Sequence, residues 1–134
     1  MNRLILALAL TPALFVTGAM AQTVSEDVSK QLWCGTAMTV AFSNPPPDVT
    51  SEQMAEAQTY IDGGTALTDA AVKAHLDAGF TQEQIDKLKA DLVTEVTTAI
   101  SGDGANAKYT FEECAALLPG ASSAPADASS SSAQ

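Results

Sequence analysis

The chain has 134 residues, with six Lys and Arg against 16 Asp and Glu, and a formal net charge of −10. So acidic a balance argues against nucleic-acid and anionic-membrane partners, which are bound through Lys and Arg that neutralise phosphates. One histidine and two cysteines are too few for a zinc site, which wants three or four His, Cys or carboxylate ligands.

Residues 1–21 read as a secretory signal peptide. Arg3 supplies the basic start, Leu4 to Val16 the apolar run, and Ala19 and Ala21 the small residues before a cleavage point. The apolar run is about 13 residues, whereas a helix needs roughly 20 to span a bilayer. No later stretch is comparably apolar, so the cleaved chain is expected in the periplasm or secreted, with no membrane insertion. Cleavage removes Arg3 and leaves Lys30, Lys73, Lys87, Lys89 and Lys108 as the cations. Residues 22–119 are expected to form one helical domain. Residues 120–134 are nearly all Ala, Ser, Pro and Gln and carry too little apolar bulk to offset their ordering entropy, so they read as a disordered tail.

Ser25 is placed to cap a first helix running past Val28, Leu32, Trp33, Met38 and Phe42, and the run Pro45-Pro46-Pro47 must end it. Thr50 or Ser51 opens a second segment with Met54, Ala57 and Ile61 on one stripe; Gly63-Gly64 is expected to break or kink it. A third carries Leu67, Ala71, Ala74 and Ala78 and stops at Gly79, the usual left-handed residue past a helix end. Thr81 with Gln84 makes a capping box, and the helix it starts places Ile85, Leu88, Leu92, Val96 and Ile100 on one stripe, as the central core helix would. Ser101-Gly102-Asp103-Gly104 ends it as a turn; the alternating oxygen ligands of a calcium loop are missing. Thr110 with Glu113 repeats the capping box for a short last helix, with Tyr109 stapled onto Cys114. The expected fold is all-α, a small bundle of about five helical segments.

Cys34 and Cys114 permit one intramolecular pairing, and outside the cytoplasm they are expected to be bridged, joining first and last helices. Closing a loop of that length is worth up to about 4 to 5 kcal/mol by the chain-entropy estimate. The spacing is not the Cys-x-x-Cys of a redox pair, so the bridge reads as structural. His75 falls near the end of the third segment and is expected as a surface or cap residue favoured by the helix dipole. Nothing beside it makes a nucleophile and base pair, so no catalytic residue, metal or cofactor is assigned and the chain reads as a non-enzyme. Trp33 is the residue best suited to a partner-binding hot spot, and packing against the disulfide explains it equally well.

The leader, the helical segments, Trp33-Cys34-Gly35 and Tyr109-Thr110-Phe111-Glu112-Glu113-Cys114 together resemble small exported two-cysteine helical proteins of alphaproteobacteria that lack an assigned function. The resemblance implies a bacterial periplasm. The chain is also similar, more distantly, to the periplasmic acid-stress chaperones of the HdeA type, which are small, helical and tied by one disulfide with a tryptophan close before the first cysteine. Its two cysteines stand 80 apart, wider than in that family, and no residue is carried over. The function expected is that of a non-enzymatic interaction protein of the cell envelope, of the inhibitor, immunity or accessory type, with an envelope protein as partner. Two alternatives are an acid- or stress-responsive periplasmic chaperone, since protonating the carboxylates reverses the net charge, and a carrier of a small apolar ligand held where the alanine-rich third segment leaves room.

Overall fold

The helix boundaries follow from local chemistry. The Ser25 hydroxyl accepts the Val28 amide at 3.3 Å and starts α1 (Glu26–Phe42). The prolines at 45–47 have no N–H to donate, and α1 closes with the Ser43 amide donating to the Thr39 carbonyl at 3.1 Å. Complete capping boxes at Thr50 and Gln53, Thr81 and Gln84, and Thr110 and Glu113 start α2 (Ser51–Asp77), α3 (Gln82–Ile100) and α4 (Phe111–Ala115). At the end of α2, Gly79 takes a φ of +89° while its amide and that of Phe80 donate to the carbonyls of Leu76 and His75. These two bonds satisfy carbonyls the helix end would otherwise leave open.

The computed structural model describes residues 22–101 and 104–120. The expected signal peptide, the tail from residue 121, and Gly102 and Asp103 of the turn after α3 lie outside the described residues. Among the described residues the protein is all-α, with four helices and no strand, and Cys34 is bridged to Cys114 with Cα atoms 5.0 Å apart. No described helix is long and apolar enough to cross a membrane.

Four helices, rather than five segments, result from Gly63-Gly64, which do not break α2. A Cβ on Gly64 would stand 2.8 Å from the Gly35 carbonyl oxygen and 2.9 Å from the Met38 Cβ. Conversely, one on Gly35 would stand 2.6 Å from the Gly64 carbonyl oxygen and 2.5 Å from the Thr68 Oγ1. The two helices therefore cross backbone to backbone, and the packing gained there outweighs the roughly 1 kcal/mol that a mid-helix glycine costs. Thr39 and Thr68 turn their hydroxyls back to Gly35 O at 2.9 Å and Gly64 O at 3.0 Å, so each glycine carbonyl at the crossing has a donor.

The centre of the molecule is α1, not α3 as its apolar stripe led us to expect. Leu32, Trp33, Cys34, Gly35, Thr36 and Met38 are all buried in α1. In α3 only Ile85 and Val96 are buried, while Leu88 and Val93 remain 36% and 45% exposed. The third helix packs chiefly on α1 and touches α2 sparingly; of its stripe Leu92 and Ile100 are only partly buried against the core and Leu88 is exposed.

Gly64→Ala should lower stability by about 1–3 kcal/mol, because the added methyl meets backbone and a fixed Cβ. Gly63→Ala should stay within about 1 kcal/mol of the parent: its methyl meets only the end of the Leu118 side chain, and alanine favours the helix. Urea melts of the two variants check the contrast.

Reducing the disulfide, or Cys34→Ser, should cost about 2–5 kcal/mol. At about 4–8 °C per kcal/mol for a domain of this size, that is a fall in Tm of at least about 8 °C. Thermal melts by circular dichroism, with and without reductant, measure it.

Candidate functional site

One face of α1 alternates bulk and gaps: Trp33 and Met38, then Phe42, with Ala37 and Ala41 between them at helical spacing. Large side chains flanking alanines leave a furrow. Its far walls come from Ile100 at the end of α3, from Ala107 and Tyr109 in the loop before α4, and from Phe111 and Cys114 in α4. The result is an apolar groove of about 370 Å³. Among the described residues its lining holds no carboxylate, imidazole or ammonium group. A second, more polar groove of about 450 Å³ runs on the other side of Phe42 and Phe111, where Pro45, Pro46, Val49, Glu56 and Tyr60 line it.

The wall shared by the two grooves is aromatic. Phe42 stacks on Tyr60 with ring centroids 4.7 Å apart, and Phe111 stands edge-on to Tyr60 at 5.4 Å and 6.3 Å from Phe42. Phe111 is the first residue of α4 and remains 49% exposed. Thr110 fixes it there, because the capping box that starts α4 sets the entry angle of the chain.

The position of α4 is determined twice. Cys114, 2% exposed, is tied covalently to Cys34, and Lys30 of α1 pairs with Glu113 at 3.3 Å. Glu113 also accepts the Thr110 amide at 2.9 Å while its own amide donates to Thr110 Oγ1 at 3.2 Å. The Thr110 backbone bond first, and the Lys30 hydrogen bond second, hold the Glu113 carboxyl below its ordinary value. Tyr109, just before α4, lies edge-on to Trp33 at 5.5 Å and carries the ammonium groups of Lys30 and Lys108 at 4.9 and 5.6 Å from its ring centre. Both fall within cation–π range.

Trp33 lies inside, at 3% exposed, where it belongs to the core cluster with Cys34 and Cys114 and donates its indole N–H to Glu95 of α3 at 3.1 Å. It forms part of the groove lining, not an exposed anchor. Expected at the surface or as a cap, His75 does occupy the last turn of α2, yet it is 3% exposed. Its Nδ1 donates to the Ala71 carbonyl at 2.7 Å and its ring meets Phe80 at 5.0 Å, so packing under the α2–α3 corner keeps it from water. Among the described residues no three His, Cys, Asp or Glu side chains converge on a metal position. The alanine-rich stretch of α2 lines neither groove; Ala71 is fully buried against its neighbours.

Sequence reasoning did not single out Phe42, Ile100, Lys108, Phe111 or Glu95 as parts of a site. The signal for the first groove was the run of large and small residues from Trp33 to Phe42 on one helical face. For Glu95 there was none, since it reads as one more acid on a solvated face. No protein-family model, curated protein or solved structure matches this chain.

Because the folded Glu113 carboxyl is held low, its contribution to stability is complete above its ordinary value of 4.5 and is lost as the pH falls below that through the folded value. Glu113→Gln should therefore lower stability at pH 7 and flatten the loss of stability on acidification below about pH 4.5. Urea melts across pH 3–7 test this; a slope unchanged by the substitution contradicts it.

Proposed function

We propose that this chain is a non-enzymatic interaction protein of the cell envelope that seats apolar side chains of a protein partner against the Phe42, Tyr60 and Phe111 ridge. The observation that supports this reading is the half-exposed Phe111, an aromatic ring fixed at a helix start and backed by two further rings. Aromatic residues presented on a rigid frame carry much of the energy of known interfaces, because they bury a large area at little entropic cost. The bridge from Cys34 to Cys114 supports it further, since a frame ordered before binding loses less on association. Export through a leader at residues 1–21, and thus a periplasmic or secreted location, is part of the same proposal.

A second reading is favoured by the groove floored by Trp33. Its volume lies within the range of small-molecule sites, near the lower end, and its lining is apolar with a few polar groups at the rim. It makes the protein a carrier of a small apolar ligand.

The first reading predicts that tagged protein isolated from the envelope of its source cells retains one particular envelope protein, and that Phe111→Ala reduces this retention by about tenfold or more, the effect of losing a hot-spot ring. Phe111 is exposed enough that the variant should keep its helical spectrum. Equal retention by parent and variant would falsify the ridge as the docking surface.

A further inference from the structure

We infer that the groove floored by Trp33 takes a single-chain anionic amphiphile, a free alkyl carboxylate, with its chain along the apolar lining and its head at Lys108. This deepens the carrier reading and rests on it.

The size of the site limits the occupant. About 370 Å³ lies near the lower end of ligand sites and holds one alkyl chain rather than the two of a bilayer phospholipid. Its floor runs along α1, since Trp33, Ala37 and Ala41 follow one another on a single face of that helix. Nothing charged among the described lining residues would oppose an alkyl chain there, and Met38 offers a flexible surface that adapts to one.

The head is assigned from the distribution of charge. The chain is strongly acidic, and three of its lysines are already held by carboxylates: Lys30 by Glu113, Lys73 by Asp77 and Lys87 by Asp91. Lys89 stands on α3, away from the lining. Lys108 has no ion pair among the described residues, sits between the two lining residues Ala107 and Tyr109, and rests its ammonium over the Tyr109 ring. A cation at the rim of an apolar groove accommodates a chain that ends in an anion. The surrounding acids, Glu95, Glu112 and Glu113, are turned to other tasks or lie outside the lining: Glu95 accepts from Trp33 and Glu113 from Lys30 and Thr110. The net charge of the chain disfavours approach to an anionic bilayer, which points to the free monomer as the source.

Trp33, the single tryptophan of the chain, reports on the site by fluorescence. The disulfide-bonded protein is titrated with decanoate and, separately, with decanol, both below the concentrations at which they aggregate. Saturable changes in Trp33 emission are expected from both. Lys108→Gln should weaken decanoate by about threefold to fivefold, the effect of one solvent-exposed ion pair, and leave decanol unchanged. Ala37→Leu, which fills the groove, should abolish both; if it fails to fold, Ala41→Leu serves instead. Equal loss of both ligands in Lys108→Gln, or no loss of decanoate, overturns the anionic head and leaves the carrier reading standing. No saturable response of the parent protein to either ligand overturns both. Anionic phospholipid vesicles that shift Trp33 emission as strongly as decanoate would overturn the free monomer as the source.

Discussion

Three consecutive residues of α1 hold the molecule together. Successive positions on a helix point about 100° apart, so Trp33, Cys34 and Gly35 face three directions, and each meets a different part of the chain. Trp33 reaches Glu95 of α3 and the Tyr109 ring before α4; Cys34 is bonded to Cys114 of α4; Gly35 lies against Gly64 of α2. Each contact is of a different physical kind: an indole hydrogen bond with ring packing, a covalent bridge, and a backbone approach that tolerates no side chain. A helix used this way must be surrounded, which is why α1 is buried on so much of its circumference while α3 presents most of its residues to water.

The grooves follow from the same arrangement. Cys34 fixes α4 at one level of α1, and the capping box at Thr110 then fixes the direction in which Tyr109 and Phe111 leave the start of α4. Further along α1, at Ala37 and Ala41, the helix has no bulk with which to fill the space that this spacing leaves. A frame tied at Cys34 and thin at Ala37 and Ala41 therefore leaves a space beside Trp33, which the loop before α4 walls on its far side. The charged groups nearest to it in the chain, the Lys30 and Glu113 pair and Lys108 over Tyr109, stand outside its lining.

Much of the local structure was legible in the sequence because it is written locally. Thr81 and Thr110 start helices as their spacing to Gln84 and Glu113 predicts, Ser25 caps α1 as expected, Thr50 rather than Ser51 caps α2, and the proline run and Gly79 mark the ends of α1 and α2. The pairing of Cys34 with Cys114 was legible by count, since no other pairing exists. What could not be read was anything depending on which helix faces which. Gly63-Gly64 has the propensity of a break, and only the presence of Gly35 across from it turns a weak helical site into a crossing point. His75 was located correctly along its helix and wrongly in depth, because Phe80 covers it from beyond the turn. The apolar stripe of α3 has the periodicity of a core helix, but periodicity reports only that a face is available, not that a neighbour occupies it.

The shallow burial of α3 bears on how the groove is built. The wall from α4 is held by a covalent bond to α1, whereas the wall from Ile100 belongs to a helix anchored by two buried side chains, Ile85 and Val96, and by the Glu95 bond to Trp33. Elements with few buried contacts open at lower free energy than the rest of a fold. Of these two walls, the one from α3 is the one that no covalent bond ties to α1. The Trp33 to Glu95 hydrogen bond is the polar tie that holds this helix to α1, so the one buried indole serves two places at once: the floor of the groove and the bond to its α3 wall.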